Sequence, residues 1–302
     1  MKLSAPQLLV EARAFLGEGP AWDSARQRLY WVDILDGLLH IFDPQNGQDE
    51  VINLGQPLGC VAPAVDGNLI LGLKDGLAVL RLDAQGGLSD LPSARLDFLS
   101  NPERDRLGNR FNDGKCGPDG RFLAGTMDNA EVDASGSLYS LSPNGSLKTL
   151  LTGVRISNGL AWSPDHKTFY YIDTPTRKVL AFDYDLRSGG IANPRVAVKI
   201  PAKLGWPDGM TSDYAGNLWV ALWGGAALTV WNPATGALVE KIPIPAKNVT
   251  SCAFGGPEQN ELYVTSARKG LSAADLEAYP ASGALFRLQT DVTGLPTFVF
   301  GE

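Results

Sequence analysis

Of the side chains that most often carry chemistry, this sequence is poor in two. Only His40 and His166 occur, and His166 sits in Ser163-Pro164-Asp165-His166-Lys167, a turn signature. Cys60, Cys116 and Cys252 are odd in number and widely spaced, so they read as buried free thiols and not as a disulfide framework or a Cys-x-x-Cys zinc site. Carboxylates, amides and arginine are left to do the work. Glu18, Asn112, Asn158 and Asp208 each stand about ten to twelve residues ahead of a strongly apolar segment, and Leu58 and Thr250 hold the same place in two further copies. Two carboxylates and amide oxygens brought together would suit a hard divalent cation, Ca²⁺, Mg²⁺ or Mn²⁺, with water at the remaining positions, and Zn²⁺ also accepts carboxylate oxygen. The same residues suit turns as well, because Glu18, Asn158 and Asp208 are each followed by glycine.

The elements that must position them are short strands. The clearest copies of the repeat run from Gly19 to Leu29-Tyr30-Trp31-Val32-Asp33, from Asn158 to Phe169-Tyr170-Tyr171-Ile172-Asp173, and from Asp208 to Leu218-Trp219-Val220-Ala221-Leu222. Fainter copies lead from Leu58 to Leu69-Ile70-Leu71, from Asn112 to Phe122-Leu123-Ala124-Gly125 and from Thr250 to Leu262-Tyr263-Val264. A third strand follows each at hairpin distance, among them Leu39-His40-Ile41-Phe42 and Leu228-Thr229-Val230-Trp231. A period of this length predicts an all-β, six-bladed β-propeller forming a single domain over residues 1–302. Equivalent positions at the start of the innermost strands then surround one end of the central channel, so Glu18, Asn112, Asn158 and Asp208 should converge.

A ring of blades must join its ends or expose strand edges, and Gln7-Leu8-Leu9-Val10-Glu11-Ala12 is expected to close the last blade. Leu271 to Ala278 interrupts the last repeat as a helical turn. Trp22, Trp162 and Trp219 are expected to pack between blades, and Trp206 and Trp223 to lie near the channel mouth.

Composition agrees: 34 glycines and 20 prolines in 302 residues call for many turns, hence many short strands. The net charge of -7 disfavours nucleic acid and anionic membranes, which require clustered Lys and Arg, and favours a small-molecule partner. The segment Met1 to Arg13 lacks the apolar core of a signal peptide and no later stretch is long and apolar enough to span a bilayer. A cytoplasmic protein, monomeric or weakly homo-oligomeric, is expected.

Five stretches in order along the chain, Leu16-Gly17-Glu18-Gly19-Pro20-Ala21-Trp22, Asn109-Arg110-Phe111-Asn112-Asp113-Gly114-Lys115, Ala124-Gly125-Thr126-Met127, Ser157-Asn158-Gly159-Leu160-Ala161-Trp162 and Pro207-Asp208-Gly209, resemble the gluconolactonase family that includes the senescence marker proteins. The resemblance implies a six-bladed propeller that holds one divalent metal ion through Glu18, Asn158 and Asp208, with Arg110 and Asn112 on the sugar lactone. It places Asp128 and Asn129 at the substrate edge where the animal members carry a pair of glutamates. The run Thr265-Ser266-Ala267-Arg268-Lys269-Gly270-Leu271 is more similar to bacterial aldonolactonases.

A lactone is a cyclic ester, and its hydrolysis needs an activated water, an electrophile for the carbonyl and a place for the charge of the tetrahedral oxygen. With no useful histidine the general base must be a carboxylate, and Asp208 is the expected one. Arg110 offers a fork of donors and Asn112 both donates and accepts, which suits a polyhydroxylated ring. The expected activity is hydrolysis of a glucono-, xylono- or arabinono-lactone to the free acid. The rival readings are a calcium-binding regulatory propeller and a promiscuous metal-dependent esterase.

Overall fold

The computed structural model describes residues 1–83 and 95–301. Six four-stranded antiparallel sheets form the blades. The first holds Gly17–Asp23, Arg28–Asp33, Leu38–Asp43 and Gln48–Asn53. The second holds Leu58–Pro63, Leu69–Leu73, Gly76–Leu80 and Leu96–Ser100. The third is made of Asn109–Cys116, Phe122–Asp128, Gly136–Leu141 and Leu147–Val154. The fourth is made of Ser157–Trp162, Thr168–Asp173, Lys178–Asp185 and Gly190–Lys199. Trp206–Ser212, Leu218–Trp223, Ala227–Asn232 and Ala237–Pro243 form the fifth. Asn248–Gly255, Glu261–Ala267 and Leu285–Gln289 form the sixth, with Gln7–Val10 as its outermost strand.

The inner strand of each blade touches the inner strands of both neighbours, and that of the sixth touches that of the first, so the ring is closed. Closure is completed as the sequence predicts, with Gln7 opposite Arg287 and Leu8 opposite Phe286 in an antiparallel pair. That pairing covers an edge that would otherwise present unpaired backbone groups.

Burial follows position in the blade. Ser157–Trp162 is buried throughout, whereas in the outer strand Ala237–Pro243 only Ile242 is buried. The apolar residues of the middle strands meet across the gaps between sheets, giving a separate hydrophobic cluster for each neighbouring pair of blades. Trp22, Trp31, Phe42 and Tyr263 join the sixth blade to the first, and Leu160, Trp162 and Phe169 join the fourth to Leu123 and Leu138 of the third. Trp22, Trp162 and Trp219 are packed in such clusters, as expected. None of the three cysteines is in a disulfide, and all are buried. Ala273–Ala278 is one short helix, started by a Ser272 and Asp275 capping box.

The turn reading of the residues that precede glycine is corrected by the structure. Glu18, Asn158 and Asp208 lie inside inner strands, each at or next to a shift in register against the second strand of its blade. Such β-bulges re-aim side chains, here into the channel. Gly19 and Gly159 take the positive φ that the bulge imposes, 52° and 27°. Gly209 serves a different need, because a Cβ there would collide with the Ser251 side chain of the next inner strand.

The other end of the channel is covered by the segment Leu295 to Phe298, followed by Phe300, whose N–H donates to Pro63 O at 2.9 Å.

Candidate active site

The open end of the channel is a cavity of about 520 Å³, within the usual range of small-molecule pockets. Glu18, Arg110, Asn112, Asn158 and Asp208 all line it, brought together from the first, third, fourth and fifth blades. Each is 5% exposed or less, so these polar groups must be satisfied by one another or by a ligand.

One chain of hydrogen bonds organises most of them. Asn129 Oδ1 accepts from Arg110 Nε at 3.1 Å, and Arg110 Nη1 donates to Asn112 Oδ1 at 2.6 Å and to Phe111 O at 3.0 Å. Asn112 Nδ2 donates to Asn158 Oδ1 at 2.8 Å and Ser157 O at 2.9 Å. Asn158 Nδ2 in turn donates to Thr174 Oγ1 at 2.8 Å, and that hydroxyl donates to Pro207 O at 2.8 Å. The sequence does not point to Thr174, which fixes the amide orientation of Asn158 and leaves its Oδ1 turned to Asn112. Its signal is faint, a single Thr following the strand that ends at Asp173.

The two acids are less well served. Glu18 Oε2 accepts from Gly19 N at 3.0 Å, and Asp208 Oδ1 is buried with no protein partner. Burial, with the Asp113 charge behind it, pushes Glu18 up to about 8. Burial and then the Glu18 charge raise Asp208 well above the ordinary carboxylate value. Two acids so placed resist ionising together unless a further positive charge joins them. The donor set of two carboxylates, one with an orphaned oxygen, and the Asn158 amide oxygen fits a hard divalent cation.

Arg110 is lowered to about 10 by burial, against the pull of Glu131, Glu18 and Asp208, and so stays charged at neutral pH. Its Nη2 has no protein acceptor among the described residues, which leaves both N–H donors of that nitrogen for a ligand. Asn129 supports Arg110 from behind. Asp128 does not line the cavity: its carboxylate accepts from the backbone N–H groups of Ala130, Val132 and Asp133 and organises that loop.

The mouth carries groups that the sequence reading leaves out, Glu131, Arg155 and Lys269, besides the expected Trp206 and Trp223. Lys269 Nζ, from the sixth blade, pairs with Glu131 of the third. Trp206 is held by the Arg177 guanidinium, 3.4 Å over its ring, and Arg177 Nη1 donates to Gly205 O at 2.6 Å. His40 takes no part, since its ring stacks on Trp31 and Nδ1 lies 2.6 Å from Asp49.

Residues 16–268 match the family described as the SMP-30/gluconolactonase/LRE-like region. A Bacillus subtilis (strain 168) protein provisionally named a sugar lactone lactonase, YvrE, is 38% identical, with 95% of each chain covered. Regucalcin of Gallus gallus is 38% identical over 94% of each chain. A solved structure from Agrobacterium tumefaciens described as a calcium-binding protein, regucalcin, superposes with a TM-score of 0.91 at 30% identity, covering 99% of this chain and 98% of that one. With the ring, the inner-strand bulges and the polar pocket in common view, the chain belongs to the SMP-30/gluconolactonase/LRE-like family.

Proposed function

We propose that this protein is a lactonase that opens a sugar-acid lactone, such as glucono-, xylono- or arabinono-lactone, to the free acid, working as a single domain over residues 1–302. The observation that carries the reading is the buried Glu18 and Asp208 pair with an unpartnered Asp208 oxygen, beside a charged arginine in a pocket of sugar size. Family membership supports it, as does the name of the Bacillus relative.

Glu18, Asn158 and Asp208 would hold one divalent cation, Ca²⁺, Zn²⁺, Mn²⁺ or Mg²⁺. Bound there, it supplies Lewis-acid polarisation of the lactone carbonyl and a place for the developing oxyanion. Arg110 binds ring or carbonyl oxygens through the Nη2 N–H donors it does not spend on protein, and Asn129 fixes the plane of its guanidinium. Asn112 is held between Arg110 and Asn158, so it positions both and meets the substrate by exchanging one of those bonds. Asp208 takes a proton from the attacking water as the new C–O bond forms, then returns it to the ring oxygen as the ring C–O bond breaks. Trp206 and Trp223 present aromatic surface to the sugar and displace water from the mouth.

The test is acid release from a panel of aldonolactones, followed with a pH indicator, on metal-stripped protein and on protein restored with each cation in turn. Turnover above the spontaneous rate that returns with a divalent cation is expected. Cation binding with no turnover on any lactone would overturn the enzymatic reading and leave the binding protein.

A further inference from the structure

Arg155 carries a charge at the pocket mouth that no side-chain hydrogen bond or ion pair among the described residues ties down, although it is the last of the influences that favour ionised Asp173. Its backbone N–H donates to Asp173 Oδ2 at 3.3 Å, and that of Ile156 to Asp173 Oδ1 at 2.9 Å. The first blade repeats the arrangement with different side chains: the N–H groups of Phe15 and Leu16 donate to Asp33 at 2.6 and 2.9 Å. Leu16 and Ile156 both line the pocket, as equivalent residues of a repeat should. The fold thus asks only for a backbone N–H at the preceding position, and Phe15 meets that demand without reaching the pocket, whereas Arg155 lines it.

The other cations of the lining are engaged. Lys269 pairs with Glu131, and Arg110 is bonded to Asn129 and Asn112 with Glu131, Glu18 and Asp208 around it. Arg155 has no side-chain hydrogen bond or ion pair among the described residues, and Asp173, the acid beside it, spends both oxygens on backbone N–H groups. Arg155 is exposed, and at the rim of the pocket its guanidinium can attract an entering anion at long range and then donate to it directly. On a chain of net charge -7, it is also a local exception to a field that repels anions.

We propose that Arg155 makes the site selective for lactones that bear an acidic substituent, a carboxylate or phosphate remote from the ring carbonyl. The planar fork of donors matches either group in two-point fashion. The inference rests on the lactonase reading and names the substrate class within it.

The experiment compares kcat/KM for wild type, Arg155→Gln and Arg155→Lys on an uncharged aldonolactone, the same lactone with a terminal carboxylate and the same lactone with a terminal phosphate. Wild type should favour at least one acidic lactone over the uncharged one by roughly tenfold at low salt, the arm that responds identifying the group. The ratio should shrink with added salt, fall to within about twofold in Arg155→Gln, and be partly kept in Arg155→Lys. No preference in wild type, or an equal loss on all three lactones in Arg155→Gln, would overturn it. A binding arm separates this failure from that of the lactonase reading: the open-chain diacid is titrated against the monoacid by tryptophan fluorescence. Tighter diacid binding that depends on Arg155, without turnover of any lactone, would sustain the anion subsite and sink the enzyme. Turnover without any acid preference in either arm would do the reverse.

Discussion

The two levels of the channel bury acids under opposite conditions. At the closed end burial raises Asp113, but the Lys115 charge and the Gly114 N–H, which donates to it at 2.8 Å, limit the rise to about 6, and Lys115 Nζ is itself anchored to Met210 O at 2.8 Å on the fifth blade. The cavity there is about 40 Å³, room for little more than a few waters, and Leu295 to Phe298 cover it. At the open end Glu18 and Asp208 both line a cavity more than ten times larger, and Asp208 Oδ1 has no protein partner. One level brings its own compensating charge on the same strand as the acid. The other has one arginine, Arg110, for two acids, and what enters from solvent must supply the rest, which is the condition of a binding site and not of a structural core.

The proposed base role puts the largest effect at Asp208. Asp208→Asn keeps an oxygen of similar size but loses the base and the charge, so kcat should fall at least about a hundredfold at saturating cation. Steady-state rates measured across a cation titration are the check. Full recovery at high cation would reduce Asp208 to a ligand, since added metal repairs weak binding but cannot restore a base.

A second effect should appear at the closed end, in stability and not in rate. Burial raises Asp113 from 3.8 to about 6, with Lys115 opposing. An acid raised on folding makes the folded chain the better proton binder, so its contribution is full below about 4 and is lost as pH rises through about 6. The loss is at most about 3 kcal/mol, because each tenfold gain in proton affinity is worth about 1.4 kcal/mol. Urea unfolding of chelator-treated protein at several pH values should show this decline, and Asp113→Asn should remove its part between about 4 and 6 while the decline that Glu18 adds up to about 8 remains. An unchanged slope in the variant would place the titration elsewhere.

The smallest effect sharpens the open end. Thr174→Val removes the acceptor that holds the Asn158 amide, which should weaken cation affinity about fivefold, the worth of one hydrogen bond of about 1 kcal/mol. Titration calorimetry reads it directly. Wild-type affinity in this variant would mean that Asn112 alone orients Asn158.

Much of this is legible in the sequence because a repeat encodes it. Phe169-Tyr170-Tyr171-Ile172 and Leu218-Trp219-Val220-Ala221 announce middle strands by composition, and lining them up brings Glu18, Asn112, Asn158 and Asp208 to one level, where the structure also has them. What a repeat cannot encode is how one blade answers another. Thr174 matters through Asn158 and Pro207, Asn129 through Arg110, and Lys115 through Met210, and none of these pairings shares a period. Asp128 looks like a pocket residue because it ends a strand beside the site, yet three backbone N–H groups in the following loop claim it. The glycines after Glu18 and Asn158 resemble turn signals since a bulge and a turn ask for the same backbone freedom.

The pairing of Gln7–Val10 with Leu285–Gln289 also sets a schedule. The sixth sheet pairs strands far apart in sequence, so during synthesis it cannot be finished until Leu285–Gln289 has emerged, and contacts of such long sequence separation are slow to form. Glu18 leaves the ribosome early and waits for Asp208, its pocket partner, until most of the chain has been made. A newly made chain therefore passes through a stage with several blades and no working pocket, and capture of a divalent cation at that pocket would time-stamp the moment at which Glu18 and Asp208 first share a site.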